Sequence, residues 1–376
     1  MDARTAILRA VKWVSKDKEP TRGMQGILLV PAFYEEGVPR QLVPHPDKEL
    51  AKTGVTVELP HFPPVVMATD GVTGIVIVLD PFARLPHVCV DGKAVEKALK
   101  GTNKATEFWW QPRDKGHVLL ETETGTKFLL PCFDPRAHPG YPVLPKVLRG
   151  VPDFAAVRAL EHIPMKDDTR PELACLRFGP DAVEATDETR NARVSLGCGP
   201  AGGILVPKRI LQNWPKKKPE PLDVGVAFEN ELAYVHVDGE LRWAETLPTD
   251  GFPDLAPILP VSHVGTRVRV RTMALKQAVK HATSYSPKDW VELRFHNDVL
   301  AVTGLMEDGG VGFAHEVDAP GAGSMVKVTV RGRLLWQSLH ARTDDETTLC
   351  YSTAEQAVRI ESTGFVEAIN PLIAAG

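Results

Sequence analysis

The chain has 376 residues, of which 43% are hydrophobic and 24% are charged, and its formal net charge is −4. This composition supplies apolar surface for at least one large globular core and excludes disordered, collagen-like and coiled-coil proteins. No apolar run approaches the ~18 residues of a membrane-spanning helix, and Arg4, Arg9 and Lys12 interrupt the apolar N-terminal residues, which a secretory signal would not do. We therefore expect a cytoplasmic protein.

The first elements along the chain are a helix, a proline-rich stretch and a strand. Apolar residues at helical spacing predict a helix near residues 3–16. Prolines accumulate between about residues 33 and 64, which predicts an inserted and mostly irregular loop. An alternating strand then ends at Thr69, a second helix follows near residues 93–104, and period-two strands complete the unit.

The same order of elements recurs with a period of 117 residues. Thr69, Thr186 and Thr303 lie in equivalent strands, and Leu130-Pro131 and Leu247-Pro248 are also 117 residues apart. A period this long is too large for a solenoid and predicts three copies of one domain. Two helices on antiparallel strands in each copy make the fold class α+β. The predicted domains are residues 1–145, 146–260 and 261–376.

Charge is segregated along this repeat. The six predicted helical segments contain 19 Lys or Arg and two acids, whereas the rest of the chain contains 25 and 46. Exposed helices normally mix both signs, so six such helices on one surface would suit a polyanion held without sequence reading. Asn and Gln are sparse there, which favours phosphate contacts over base contacts. The segments are residues 3–16, 93–104, 154–162, 208–218, 273–284 and 331–342.

The cysteines and a glycine motif predict no metal or cofactor site. The two closest of the five cysteines, Cys175 and Cys198, are 23 residues apart, and no CxxC occurs. Buried, reduced thiols are the simplest interpretation. Residues 197–202 fit GxGxxG, but they precede the strand-like residues 204–206 instead of opening a helix, so no dinucleotide site is predicted.

Three motifs in the second copy carry a family resemblance. Residues 185–192 read ATDETRNA, residues 204–208 read ILVPK and residues 251–260 read GFPDLAPILP. In this order and at these separations they resemble the bacterial DNA polymerase III β subunit, the sliding clamp. The similarity covers nearly the whole chain and is weaker in the first domain. It implies three copies of an α+β domain and a head-to-tail homodimer that closes into a ring.

The resemblance implies a processivity factor and not an enzyme. Such a ring encircles duplex DNA, slides without reading its sequence, and tethers a replicative polymerase, the clamp loader and repair proteins through short linear peptides. Its helices face the DNA. The residues expected to do so here are Arg9, Lys12, Lys16, Lys93, Lys97, Lys100, Arg158, Lys208, Arg209, Lys276, Lys280, Arg331 and Arg342.

The family's partner site is an apolar pocket between its second and third domains, where a Leu or Phe of the partner peptide binds. The family's positions in that pocket correspond here to Leu173, Thr186, Arg190, Pro260, Pro371 and Leu372. Glu188 and Thr189 replace a Gly and an aromatic or His, Asn191 replaces a Leu, and Asn370 lies in an altered C-terminal motif. Losing a buried leucine removes about 1.5–3 kcal/mol of apolar burial, which predicts an altered peptide preference.

The family's subunit interface joins an edge strand of the first domain to the third domain. By resemblance Phe128 and Tyr285 lie at this interface, and Ser284 stands where an apolar residue is more usual, which predicts a weaker ring. Pairing an edge strand across a dimer removes an exposed edge.

Two functions of different classes remain open. The first is the processivity ring, and the second is a clamp-folded monomer that no longer encircles DNA and acts in interaction or regulation. The shortage of acids in the helical segments favours the first. Trp109 and Trp110 are explained better by strand packing than by base stacking, and the lysines at 216–218 fit either phosphate contact or a solvated loop.

Overall fold

The computed structural model of the chain describes residues 2–14, 25–33, 41–44, 56–60, 62–81, 83–103, 107–113, 116–139, 145, 148–150, 154–165, 169–211, 224–237, 239–259, 265–322, 325–342, 344–353, 356–362 and 364–372. Lys16, Pro260 and the lysines at 216–218, which carried sequence predictions, lie outside these residues. Among the helices described, none is long and apolar enough to cross a membrane.

The first copy begins with a helix that Asp2 caps, because the Asp2 side chain accepts a hydrogen bond from the Thr5 amide. A 3-10 turn at Val11–Trp13 extends this helix. The elements of this copy are α1 (Ala3–Ala10), β1 (Gly26–Val30), β2 (Gln41–Pro44), β3 (Thr56–Leu59), β4 (Val65–Thr69), β5 (Thr73–Val78), β6 (Val88–Asp91), α2 (Gly92–Lys100), β7 (Phe108–Pro112), β8 (His117–Thr122) and β9 (Lys127–Phe133).

The second copy contains less helix than predicted. Its first helix ends at Arg158, and Pro164 disfavours helical geometry in the residue before it. In place of a second helix, the described residues show only a 3-10 turn at Lys208–Leu211. The elements are β10 (Arg149–Gly150), α3 (Phe154–Arg158), β11 (Cys175–Phe178), β12 (Val183–Thr186), β13 (Arg190–Val194), β14 (Ile204–Pro207), β15 (Val224–Glu229), β16 (Leu232–Val237) and β17 (Glu240–Glu245).

The third copy repeats the pattern with two full helices, and the predicted α+β class is confirmed. Its helices begin directly after strands and match the predicted segments within two residues. The elements are β18 (Thr266–Arg271), α4 (Thr272–Ser284), β19 (Trp290–His296), β20 (Val299–Leu305), β21 (Val311–Asp318), β22 (Val326–Arg331), α5 (Gly332–His340), β23 (Glu346–Tyr351), β24 (Val358–Ser362) and β25 (Phe365–Ile369).

The chain forms two compact units, Met1–Gly150 with Pro215–Glu245 and Val151–Trp214 with Thr246–Gly376. The first unit holds an 11-stranded sheet in the order β10-β15-β16-β17-β5-β4-β1-β6-β9-β8-β7. The second holds an 8-stranded sheet, β14-β11-β12-β13-β25-β24-β23-β18, and a 4-stranded sheet, β21-β20-β19-β22. Strands of one copy thus pair with strands of the preceding copy. The domain boundaries near residues 145 and 260 stay a prediction.

Each unit has its own apolar core. In the first unit α1 and α2 bury Ile7 and Leu99 against the sheet residue Ile75. In the second unit α4 buries Leu275 against Val302 of β20. Burying a side chain of this size contributes about 1.5–3 kcal/mol. Because each helix places one face on a sheet, its opposite face lies at the surface.

The inserted stretch after β1 is more regular than predicted. Strands β2 and β3 form a two-stranded ribbon in which Val43 stands opposite Val57. Phe33 and Phe62 form an isolated bridge at the base of this ribbon, and their rings stack with centroids 4.3 Å apart. The prediction of an irregular loop depended on the prolines of this stretch. The residues around Val57, which lie between prolines, have high strand propensity, and this accounts for the ribbon.

Two of the three repeat threonines, Thr69 and Thr186, are followed by the same kind of turn. Thr69 Oγ1 accepts a hydrogen bond from the Gly71 amide at 3.0 Å, and Thr186 Oγ1 accepts one from the Glu188 amide at 3.1 Å. Gly71 and Glu188 both have positive φ, 98° and 68°. Glycine adopts this conformation without steric cost, whereas glutamate does not. The second copy therefore keeps the turn of the first with a less suitable residue.

Candidate functional site

Four exposed lysines of the first copy lie in or near its two helices. Burial of the apolar face of α2 leaves Lys93, Lys97 and Lys100 exposed on the opposite face. Lys12 is exposed in the turn after α1. Glu96 pairs with Lys100 at 2.6 Å, one helical turn away. These four lysines are accessible to a polyanion.

Arg9 was predicted to face DNA, and the structure gives it a different role. Its guanidinium forms an ion pair with Glu240 of β17, whose side chain is 1% exposed. Arg242 donates to the other carboxylate oxygen of Glu240 at 3.1 Å, and its guanidinium lies over the ring of Trp13. Arg9 therefore neutralises a buried carboxylate. Helical spacing alone could not show this, because Glu240 belongs to a strand of the second copy.

The predicted basic residues of the second copy are half-buried. Burial lowers the pKa of the Arg158 and Arg209 guanidinium groups. Lys208 donates a hydrogen bond to the Pro164 carbonyl oxygen. The short helical segments of this copy hold all three side chains against protein, so they offer less cationic surface than predicted.

In the third copy Lys280 and Arg331 are exposed, but the prediction that Arg342 faces DNA is wrong. Arg342 is 4% exposed, and its Nη2 donates to Glu367 Oε2 at 3.1 Å. Its guanidinium carbon lies 3.5 Å from the centroid of the Phe365 ring. Burial lowers the pKa of Arg342 to about 10, although Glu367 opposes this. The side chain is committed to neutralising a buried carboxylate.

Two further basic residues lie in the helices of the third copy, and only the second of them is exposed. Lys276 donates to the Arg342 carbonyl oxygen at 2.8 Å, and burial lowers its pKa. Arg333, which was not predicted, is exposed at the start of α5. Its exposure could have been predicted from the sequence, because helical spacing places Arg333 on the face opposite the buried Leu335 and Leu339. The exposed basic set of the described helical segments is Lys12, Lys93, Lys97, Lys100, Lys280, Arg331 and Arg333.

Two of the predicted pocket positions meet across strands β12, β13 and β25. Thr186 Oγ1 donates to Asn191 Oδ1 at 2.8 Å, and Asn191 stands opposite Ala368 of β25. Leu255 and Leu259 pack against Ala368. Asn191 is only 3% exposed. The substitution of leucine by asparagine therefore places an amide in largely apolar surroundings, with Thr186 bonded to one side of it.

Arg190 and Leu173, the next two predicted pocket positions, are both buried. The Arg190 guanidinium bonds to the Asp187 carboxylate at 2.7 and 2.9 Å and to Gln337 Oε1 at 3.0 Å. It also donates to the His162 carbonyl oxygen at 3.0 Å. Leu173 is fully buried in a 3-10 turn. Neighbouring residues of a strand face opposite sides of the sheet, so Arg190 and Asn191 do not line one surface.

The accessible part of the predicted pocket lies near the C-terminal residues. Pro371 and Leu372 are half-buried, and the Leu372 amide donates to the Thr329 carbonyl oxygen at 2.7 Å. Asn370 Nδ2 donates to the Glu188 carbonyl oxygen at 3.0 Å. Ile258, which was not predicted, is exposed. It lies in the GFPDLAPILP motif, so the motif contained the signal.

Replacing Glu188 by glycine is expected to raise the free energy of unfolding by about 0.5–1 kcal/mol, because glycine adopts positive φ without strain. The cost is small, since Glu188 loses only an exposed ion pair with Arg170. Urea denaturation measures the change. Thr189→Gly, one residue later at ordinary φ, is the matched control and should be destabilising. Equal effects of the two changes would contradict the argument.

In the described residues, strands β9 and β21 each have an open edge and carry exposed apolar side chains. Strand β21 is the last strand of its sheet, and Val311 is 67% exposed. Strand β9 pairs with β8 along its length but with β6 only at Cys132 and Phe133. Within the described residues, positions 127–131 of β9 therefore have an open edge, and Leu129 is 60% exposed. Open apolar edges of this kind are unusual in monomeric proteins.

The two residues predicted at a subunit interface lie beside these edges. Phe128 is a half-buried residue of β9 that packs on the core of the first unit. Tyr285 follows α4, is 56% exposed, and stacks on Phe313 of β21 with ring centroids 5.8 Å apart. One edge thus belongs to the first copy and the other to the third.

No protein-family model and no curated protein matches the sequence, but solved structures match the fold. The crystal structure of the DNA polymerase III subunit beta from Pseudomonas aeruginosa is 14% identical, with 98% of each chain covered and a TM-score of 0.66. A sliding clamp from the same organism, bound to griselimycin, is 16% identical with a TM-score of 0.71 at the same coverage. The chain therefore has the fold of the DNA polymerase III β sliding clamps, as the motifs predicted, with a divergent sequence.

Proposed function

We propose that this chain, which has the fold of bacterial sliding clamps, closes head to tail with a second copy into a ring around duplex DNA. The ring tethers a replicative polymerase and other replication or repair proteins as a cytoplasmic processivity factor. Tethering of this kind requires no catalytic group, cofactor or metal, because the DNA is held by topology and by charge.

The observation that carries the proposal is how strands of successive copies pair. β17, the last strand of the second copy, pairs with β5 of the first, and β25, the last strand of the third, pairs with β13 of the second. In the described residues the equivalent strands β9 and β21 have no such partner. Pairing β9 of one subunit with β21 of another would repeat the internal arrangement and close both edges.

The internal pairs also predict the register of this contact. Phe128 is the third residue after the hairpin glycine of the first copy. In the second copy the residue at this position stands opposite Ile75, and in the third copy it stands opposite Ala192. The residue of β21 that corresponds to Ile75 and Ala192 is His315. Each of these three residues stands opposite the residue that precedes the repeat threonine of its own copy. Phe128 is therefore expected opposite His315. The hairpin glycines, all at positive φ, are Gly125, Gly239 and Gly364.

The chemistry of this register is complementary. Lys127 stands opposite Glu316, and opposite charges in a cross-strand pair are favourable. Leu130 stands opposite Phe313, which would bury apolar surface on both strands. The exposed Leu129 takes the position that Trp243 and Ala368 hold at the internal junctions, where both are buried.

Class-averaged electron micrographs at micromolar concentration test the ring, and the Lys127–Glu316 pair tests its register. We expect closed rings from the unmodified chain, fewer rings from Lys127→Glu or Glu316→Lys, and recovery in the double variant. Arg269→Glu, an exposed change on β18 of a different sheet, is the control. Compact monomers of the unmodified chain would instead support the monomeric interaction or regulatory protein.

Reversing several exposed helix charges is expected to reduce retention on circular DNA without unfolding the chain. The variant combines Lys93→Glu, Lys97→Glu, Lys280→Glu and Arg333→Glu, all at exposed positions within helices. Each lost phosphate contact should reduce the slope of log affinity against log salt by about 0.9. Arg269→Glu is the control, because its neighbours Val268 and Val270 face the helices and Arg269 faces away. Unchanged retention and slope would contradict a cationic lining.

The partner-peptide site remains part of the proposal. A peptide there would first meet the accessible Ile258, Pro371 and Leu372, since Leu173 and Thr186 are fully buried. The Asn191 amide supports the predicted change in peptide preference, because an apolar anchor beside it would contact a polar amide instead of an aliphatic side chain.

A further inference from the structure

His315 is an exposed histidine at a position that is buried at both internal junctions. Its counterparts Ile75 and Ala192 are 1% and 0% exposed, each covered by a last strand. The register argued above brings Phe128 of a second copy opposite His315. Closing the ring would therefore transfer an imidazole from water to an apolar contact, where the first two copies carry side chains that cannot be charged.

Within its own subunit β21 packs against β18, β20 and α4, and none of these three described elements contains an acidic residue. Val302 of β20 stands opposite His315, and Phe313 lies two residues away with ring centroids 6.4 Å apart. Helix α4 packs on β21 and contributes Lys280 and His281, the latter 5.8 Å from Phe313 between ring centroids. Glu316 and Asp318 alternate to the opposite face of the strand.

The strand expected from the second copy brings no compensating acid to this face. Thr126, Phe128 and Leu130 share it, and none of them is charged. Helix α2 packs against β9 and carries three exposed lysines, and its Glu96 is already paired with Lys100. A protonated His315 would thus be desolvated without a carboxylate to pair with.

We propose that protonation of His315 opens the ring: the two subunits close while this imidazole is neutral and separate when it is charged. The proposal rests on the proposed ring and adds its regulation. Burial disfavours the charged form of a histidine unless a carboxylate or another acceptor compensates it. Histidine ordinarily changes charge near pH 6.5, and measurements at pH 7.5 and pH 5.5 lie on either side of that value.

The expected size of the effect follows from proton linkage. We assume that only subunits with a neutral histidine close the ring. At one pH unit below the pH at which half of the histidine is protonated, the dissociation constant of each interface then rises about tenfold. A ring with two interfaces is weakened about a hundredfold. Sedimentation equilibrium of the full chain at pH 7.5, 6.5 and 5.5, at constant ionic strength, measures the dissociation constant. Circular dichroism at each pH confirms that the subunit is folded.

The test compares the unmodified chain with His315→Gln and with His87→Gln, an exposed histidine elsewhere in the first copy. We expect the pH dependence to disappear in His315→Gln and to persist in His87→Gln. Rings that form equally well at all three pH values, or a pH dependence that survives His315→Gln, would overturn the switch and leave the ring intact. Monomers at pH 7.5 would overturn the proposed function, and the switch with it.

Discussion

Replacing Glu240 by glutamine is expected to lower the free energy of unfolding of the first unit by about 3–5 kcal/mol. The Glu240 carboxylate lies between Arg9 and Arg242, and Glu240 and Arg242 are at most 1% exposed. Removing its charge leaves two guanidinium groups close together, one of them fully buried, with no carboxylate between them. In a region of low dielectric, this uncompensated charge is costly.

Urea unfolding followed by hydrogen-exchange mass spectrometry measures this loss, because it reports each unit separately. Glu245→Gln lies at the exposed end of the same strand, is the matched control, and should change stability by less than about 0.5 kcal/mol. The triple change Arg9→Met, Glu240→Leu and Arg242→Met should recover most of the loss. Equal shifts in Glu240→Gln and Glu245→Gln would show that the triad does not stabilise the unit.

Replacing Glu367 by glutamine is expected to destabilise the second unit by about 3 kcal/mol. Glu367 is fully buried, bonds to Arg342 at 3.1 Å and accepts a hydrogen bond from Ser338 at 2.5 Å. The His162 ring nitrogen lies 3.5 Å from the same carboxylate. Without the carboxylate charge, Arg342 keeps Ser362, the face of the Phe365 ring and the charge of Asp344.

Acid should reduce the difference between the unmodified chain and Glu367→Gln. Burial acts to raise the pKa of Glu367, but His162, Arg342 and Ser338 outweigh it, so the pKa lies below the ordinary value. A carboxyl group of this kind stabilises the fold above its unfolded pKa, and the stabilisation is lost as pH falls through the folded pKa. The stability gap should be full at pH 7 and should shrink below about pH 4.

Urea midpoints at pH 7, 5 and 3.5 measure this dependence. Glu346→Gln, an exposed change on β23 of the same unit, is the control and should show no such gap. A gap between the unmodified chain and Glu367→Gln that stays constant down to pH 3.5 would show that the pKa of Glu367 is the same in the folded and unfolded states, which would contradict the lowered pKa.

Local pattern predicted much of the fold. The 117-residue spacing of Thr69, Thr186 and Thr303 marks equivalent strands, and two of these threonines accept the same turn hydrogen bond. The helical spacing of apolar residues located α1, α2, α4 and α5, because one face of each helix must be buried. The motifs around Thr186 identified the fold. These features depend on residues within a few positions of one another, which a sequence displays directly.

The roles of single charged residues were decided by contacts between distant parts of the chain. Arg9 and Arg342 have the same helical context as Lys97 and Lys280, yet they neutralise Glu240 and Glu367. Each carboxylate lies in the last strand of its copy, and that strand pairs with a strand of the preceding copy. The strand that carries Glu367 also contacts α5. No periodicity reports such a partner, because it depends on which strands pair and in which register.

The sequence by itself therefore determined the repeat, the α+β class and the basic character of the helices. Only the tertiary structure decided which basic residues are exposed, that Arg190 and Asn191 lie on opposite sides of one sheet, and that β9 and β21 have open edges. The reason is that hydrophobic periodicity fixes which face of an element is buried, whereas strand pairing between copies fixes what that face contacts.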